Sequence, residues 1–179
     1  VAWFCHKHDC GLVFPISMGI LGDPSEFPIT ADQPRTPMHW YGRTKVLGER
    51  AIEGFAKDAF PAICLMKSNL YGDHQVAGKR ISKSTVINFF VDRALSGESL
   101  TVYEPGTQAR NYVHVKDIAE SYLGCVRRLE ERLRAGDTGT VTYEIASDED
   151  PRVMAIAELV QEIAADVADI DVDIELIEN

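Results

Sequence analysis

Two kinds of hydrophobic pattern alternate along this chain. Uninterrupted apolar runs stand at Leu12–Ser17 and 62–67, each closing on polar residues. That is how strands read when both faces are buried, as in a parallel sheet. Between such runs, apolar residues recur at helical spacing. A helix is predicted from Thr36-Pro37, with Thr36 as N-cap and Pro37 in the first turn. Its Arg43, Arg50, Glu53 and Lys57 form one stripe, read as exposed; Tyr41, Lys45, Gly48, Ile52 and Phe55 form another, facing protein or a site. A second helix is predicted after Ser84, with Ile87, Phe90, Val91, Ala94 and Leu95 inward and Gly97 closing it. A third opens on the Asp117-x-x-Glu120 capping box, with Ala119, Tyr122, Leu123, Val126, Leu129 and Leu133 inward. Arg127, Arg128, Arg132 and Arg134 fall in its last turns, the sign the helix dipole favours there. Val153, Ile156, Val160, Ile163 and Val167 mark a fourth. Further strands are predicted at 100–103, 111–115, 141–145 and 171–178. The stretches 22–34 and 71–83 read as turns and loops, and the first residues as the end of a helix. Strands alternating with helices make the class α/β.

Composition fits a soluble globular chain: 45% hydrophobic, 26% charged, with no apolar run of the ~18 residues a membrane helix needs. Its 179 residues make one domain, or a domain plus a small cap. The formal net charge is -10, and after Arg152 eight acidic residues follow with no Lys or Arg. That field repels nucleic acid and anionic lipid, and suits a cytoplasmic enzyme acting on small molecules. An acidic, Arg-over-Lys surface fits a high-salt cytoplasm as well as an ordinary one.

Four cysteines are too few for a disulfide framework at this length and are read as reduced thiols. The segment Cys5-His6-Lys7-His8-Asp9-Cys10 resembles a metal cluster in composition. Its cysteines stand five apart, however, outside the spacing of a zinc knuckle, and there is no second pair, so no metal is assigned.

The chemistry concentrates in Ser17, at a strand end, and in Tyr41 and Lys45, four apart on one helix face. A free tyrosine titrates near ~10, so making it a base at neutral pH takes about 4 kcal/mol. An ammonium ~4 Å away, at an effective dielectric of about 20, supplies about that much. Ser17 can hydrogen-bond the same substrate oxygen. Together these groups can take a proton from an alcohol whose carbon gives up a hydride, and the hydride acceptor must be nicotinamide. Tyr-x-x-x-Lys alone is weak, because a tyrosine often simply packs over a lysine stem; its place at a helix start after a Ser-ended strand gives it weight.

Five segments, in order, resemble the extended short-chain dehydrogenase/reductases, specifically the NAD-dependent epimerase/dehydratase group acting on nucleotide sugars. They are Ile16-Ser17-Met18-Gly19-Ile20-Leu21-Gly22-Asp23; Thr36-Pro37 through Tyr41-Gly42-Arg43-Thr44-Lys45 with Glu49; Leu65 through Asn69-Leu70-Tyr71-Gly72; Gly106 through Arg110-Asn111-Tyr112-Val113-His114-Val115-Lys116-Asp117; and Val141 through Ser147. The resemblance implies a Rossmann-type doubly wound parallel sheet with a smaller C-terminal α/β substrate-binding part. Residues 1–72 would be the C-terminal part of the NAD-binding domain and 73–179 mainly the substrate domain, with 111–135 returning to the first.

The resemblance also implies roles. Ser17 orients the substrate, Tyr41 is the acid/base, and Lys45 tunes Tyr41 and binds the nicotinamide ribose; Tyr41, Lys45 and Lys67 contact NAD (NADP being possible). Asn69 and Arg110 hold the sugar diphosphate, Arg110 through its fixed donor fork. A homodimer is implied, with Trp3, Phe4 and Trp40 as an apolar patch. Departures are Met66 for the usual Arg, Leu21 for Tyr and Asn111 for Asp. Met18-Gly19 stand where 4,6-dehydratases carry an Asp-Glu pair, which favours an epimerase. No glycine-rich pyrophosphate turn occurs in the sequence, so the chain is expected to be the C-terminal portion of a longer enzyme, with the sheet's N-terminal strands lying outside it. The alternatives are a dehydratase or reductase of the same family, or a non-catalytic binding module.

Overall fold

A computed structural model describes residues 1–178. The described residues divide into two compact units, residues 1–68 with 117–145, and residues 69–116 with 146–178.

The first unit is built on a three-stranded parallel sheet in the order β1 (Leu12–Ser17), β2 (Pro61–Lys67), β8 (Gly139–Ile145). Central β2 is buried from Pro61 through Met66, which is why its sequence is apolar without alternation. Period-2 geometry then divides its side chains. Ala62, Cys64 and Met66 join the clusters that include Ile52 and Ala56 of α2 (Trp40–Ala56) and Ile16 of β1. Ile63 and Leu65 join Cys125 and Leu129 of α4 (Val115–Ala135) on the other face. Each buried Ile or Leu contributes about 1.5–3 kcal/mol. In register, Ser17 pairs with Lys67 and Lys67 with Ile145, so all three strands end together. A short helix α1 (Ala2–Lys7) precedes β1.

The second unit has no large sheet. It joins parallel pair β3 (Asn69–Tyr71)–β7 (Tyr112–His114), hairpin β4 (Asp73–Val76)–β5 (Lys79–Ser82), and parallel pair β6 (Leu100–Tyr103)–β9 (Ile174–Ile177). Helices α3 (Val86–Leu95) and α5 (Val153–Ala168) supply Phe90, Ala94, Val153, Ile156 and Ala157 to one core with Leu100, Val102 and Tyr112. No described helix is long and apolar enough to cross a membrane.

Several expectations are corrected. Helix α2 starts at Trp40, not at Thr36-Pro37; its N-cap is His39, without a side-chain cap, and the Thr36 hydroxyl donates to Leu21 O. Phe55 is exposed, and Gly42, Glu49, Ile52 and Ala56 are the buried residues of α2. Helix α4 is rotated from its predicted face: Leu123, Val126 and Leu133 are exposed, while Ile118, Cys125, Leu129 and Arg132 are buried. Arg132 is 7% exposed because its guanidinium donates to Ala62 O, Thr138 O and Gly139 O, capping carbonyls at the start of the sheet. Helix α4 also begins at Val115, so Asp117 lies in its first turn rather than at the cap. In α5, Ile163 and Val167 are exposed, and Ala157 and Ala164 pack instead. The cap before α3 is Thr85 rather than Ser84. Residues 71–83 are not a loop but contain β4–β5, turned at Ala77-Gly78, where both residues have positive φ. Strand β8 lies in the sheet of the first unit.

Candidate functional site

In the first unit the C-terminal ends of β1 and β2 carry Ser17 and Lys67 side by side in the ladder. Ser17 caps a 3₁₀ turn, Met18–Ile20, accepting from Gly19 N at 3.3 Å. As acceptor of that bond, Oγ keeps its own proton to donate. Helix α2 is seated against this turn by Gly42. A Cβ there would lie 2.7 Å from Gly19 O and 2.8 Å from Pro37 Cβ, so only glycine allows the approach. The next residue back, Tyr41, is thereby set beside the turn that Ser17 opens and stays 59% exposed. One turn on, Lys45 donates from Nζ to Pro15 O at 3.0 Å, with Nζ 5.2 Å from the Phe14 ring centroid and 5.8 Å from that of Tyr41. The hydrogen bond to a strand carbonyl fixes the ammonium between the two rings, and a cation over a ring face is favourable by about 0.5–1 kcal/mol at an exposed site. The structure therefore brings Ser17, Tyr41, Lys45 and Lys67 to one end of the sheet.

Sequence reading passed over what holds this end in place. Arg35 clamps Glu49 through two hydrogen bonds, at 3.1 and 2.8 Å, and donates to Gln33 O at 2.7 Å. Glu49 is 1% exposed. The pair ties the irregular stretch between β1 and α2 to the buried side of α2. The signal was a carboxylate on the helix face that also bears Ile52 and Ala56, a position where a lone charge is unaffordable without a partner.

In the second unit, Asn69 opens β3 and donates from Nδ2 to Asn111 O at 3.1 Å. Arg110 is exposed, and its Nη1 donates to Ala109 O at 2.8 Å. The intervening geometry is set by amides. Asn111 Nδ2 donates to Ser147 O at 2.7 Å and Glu149 O at 2.8 Å, while its Oδ1 accepts from Ser147 N at 3.1 Å. An aspartate has no donor for those two carbonyls, which accounts for Asn at this position. Asn88, buried in the first turn of α3, accepts from Gly72 N at 2.8 Å and donates to Gly72 O and Lys83 O, both at 2.9 Å. Gly72 in turn packs on His114, whose ring meets Tyr71 edge-on at 5.1 Å between centroids. Nothing in the sequence distinguished Asn88 from an ordinary helix residue.

The family model for the NAD dependent epimerase/dehydratase family matches residues 1–142. The chain belongs to this family. Among curated proteins it is 30% identical over 133 residues to a putative UDP-glucose 4-epimerase of Methanocaldococcus jannaschii, covering 73% of this chain and 42% of that protein. It is 28% identical over 171 residues to UDP-glucose 4-epimerase 4 of Oryza sativa, covering 88% and 45%. The chain thus spans less than half the length of these relatives. Among solved structures, a UDP-glucuronic acid 4-epimerase of Bacillus cereus in complex with UDP-glucuronic acid and NAD superimposes with TM-score 0.80 at 17% identity, covering 99% of this chain and 52% of that one. That likeness establishes the Rossmann-type fold.

The family's cofactor can be tested against the residues present. A ribose hydroxyl pair needs a fixed cation or hydroxyl donors, and a nicotinamide ring needs an open face at the strand ends. Lys45, held by a strand carbonyl, the exposed Tyr41 and the Ser17 hydroxyl meet those needs, so the nicotinamide end fits here.

Proposed function

We propose that this chain carries the acid–base groups and sugar-diphosphate contacts of a nucleotide-sugar epimerase, an enzyme that inverts a sugar carbon by transient oxidation. The observation that supports this most is the Lys45 ammonium, pinned to Pro15 O one helical turn from Tyr41 and at the end of the strand closing on Ser17. Bound NAD supplies the hydride acceptor and donor that no side chain provides. Tyr41 and Lys45, with Lys67 beside them, hold its nicotinamide end. Tyr41 Oη takes the proton of the sugar hydroxyl and returns it to the same oxygen. The Lys45 charge stabilises the phenolate while the proton is away. Ser17 donates to that sugar oxygen and holds it in line. In the second unit, Asn69 and Arg110 bind the diphosphate, the guanidinium matching two phosphate oxygens at once. The turn after Ser17 carries Met18 and Gly19, with no carboxyl to drive loss of water, which favours epimerisation over dehydration. The exposed Trp3, Phe4 and Trp40 support a homodimer through α1 and α2.

The test is to incubate the full gene product with NAD and UDP- or dTDP-hexoses and follow the sugar protons by NMR. An epimer should accumulate to equilibrium, and Tyr41→Phe should slow it about 10²–10⁴-fold with the fold unchanged. Turnover by Tyr41→Phe at the wild-type rate would overturn the assignment of Tyr41, and absence of any epimer would overturn the reaction.

A further inference from the structure

The first helix ends in a way that pairs two cysteines the proposed chemistry does not use. Cys10 N donates to Cys5 O at 3.0 Å, a bond spanning six residues, and Asp9 between them has φ +49°. This is the six-residue bond of a Schellman-type helix end, with His8 as C-cap, Asp9 in the left-handed position usually given to glycine, and Cys5 and Cys10 as the two residues it joins. Cys5 is buried in a core cluster with Ile52, Ala56, Phe60 and Ala62, and Cys10 packs against that same cluster while remaining partly accessible. The 3.0 Å main-chain bond and the shared cluster bring Cys5 and Cys10 together at the helix end, and a disulfide needs its two Cα atoms within roughly 4.4–6.8 Å. The Cys10 thiol donates to His8 O at 3.3 Å, which turns it back toward the C-cap of the helix. Burial first, and the neighbouring Cys10 next, push the Cys5 thiol above its ordinary pKa, as expected of two thiols that sense one another.

We propose that Cys5 and Cys10 are a dithiol–disulfide site that closes without rearrangement of the fold. The co-reactant is a low-molecular-weight disulfide. The more accessible Cys10 attacks as thiolate, forming a mixed disulfide and releasing one small thiol. Cys5, deprotonated, then attacks the Cys10 sulfur and releases the second. Two protein thiols are oxidised, one disulfide bond of the co-reactant is reduced to two thiols, and the protons leave with them. The product staples the end of α1 to the residue two before β1. The other two cysteines, Cys64 on β2 and Cys125 on α4, are buried in separate clusters and take no part.

The test uses the folded protein treated with oxidised glutathione, then alkylated, digested with trypsin and analysed by mass. Cleavage after Lys7 separates the two cysteines, so a linkage holds the peptide ending at Lys7 to His8–Arg35 until reductant is added. The expected result is that linked peptide, loss of two of the four free thiols, and unchanged near-ultraviolet circular dichroism. Cys64→Ser and Cys125→Ser should leave the linkage intact, and Cys10→Ser should abolish it. Four thiols remaining free, a glutathione adduct persisting on Cys10 without linkage, or a linkage that forms only in denaturant would each overturn the proposal.

Discussion

The two units secure their irregular segments by different physics. In the first, the stretch between β1 and α2 is anchored by a charge pair, Arg35 on Glu49, with the carboxylate fully enclosed. In the second, the turn at Gly72 and the approach to β7 are anchored by neutral amides, Asn88 and Asn111, each bonding several main-chain groups. A buried ion pair contributes little over an apolar replacement but is very costly to break on one side. An amide clamp loses about the desolvation of each main-chain group it leaves unpaired. The first unit should therefore fail more severely on a single substitution.

The widest gap is expected from Glu49→Gln. It strands the Arg35 guanidinium in a buried setting and should cost about 3–5 kcal/mol. Both tryptophans, Trp3 and Trp40, lie in the first unit, so denaturant unfolding followed by tryptophan fluorescence reads that unit directly. A loss below about 1 kcal/mol would mean that the pair is replaceable and the contrast between the units is false.

Next comes Asn88→Leu, which leaves Gly72 N–H and the Gly72 and Lys83 carbonyls without their amide partner. The expected cost is about 2–3 kcal/mol, read by hydrogen exchange at Gly72 and along α3, with tryptophan fluorescence at low denaturant unchanged. Asn88→Asp sharpens the comparison, since it keeps the acceptor for Gly72 N–H and loses both donors. Protection at Gly72 should survive better in Asp than in Leu, and equal loss in both would show that the donors carry the clamp.

The same contrast governs how much could be read from the sequence. Strand β2 was legible because a strand covered on both faces must be apolar throughout, and 62–66 is; β1 has the same apolar pattern, with Ile16 its buried residue and the rest half-buried. That Tyr41 and Lys45 share a helix face and that Ser17 ends a strand were legible because helix spacing and a strand end are local facts. The second unit's strands are three or four residues long, and β6 pairs with β9 across more than 70 positions, so no local pattern announces the partner. The hairpin β4–β5 is exposed along its whole length and has no alternation to detect. The face of α4 departs from the expected one because Leu123, Val126 and Leu133 are exposed and the buried position near its end belongs to Arg132. Its guanidinium instead finds three carbonyls at the start of the sheet, a partner set that only the fold assembles. Glu49 shows the same limit from the other side: its partner, fourteen residues away, lies in a segment with no regular structure.

The smallest effect expected is also the one that isolates enclosure itself. Cys64 sits on β2 at the first unit's core, and burial, with Glu49 adding its negative charge, pushes its thiol from 9.0 up to about 12. The folded state therefore keeps the proton where the unfolded chain gives it up. The resulting stability is fully present below pH 9 and is lost as pH rises from 9 toward 12, because in that window the unfolded state binds fewer protons. The slope is about 1.4 kcal/mol per pH unit, so near pH 10 the wild-type protein should have lost about 1.4 kcal/mol that Cys64→Ala does not lose. Comparing the two proteins at each pH cancels the cavity cost of the alanine, which does not titrate, and cancels every other group that titrates alike in both. Parallel curves from pH 8 to 10.5 would mean that the β2 core admits water at Cys64, and the charge pair beside it would then be screened as well, removing the physical basis for the large Glu49→Gln effect.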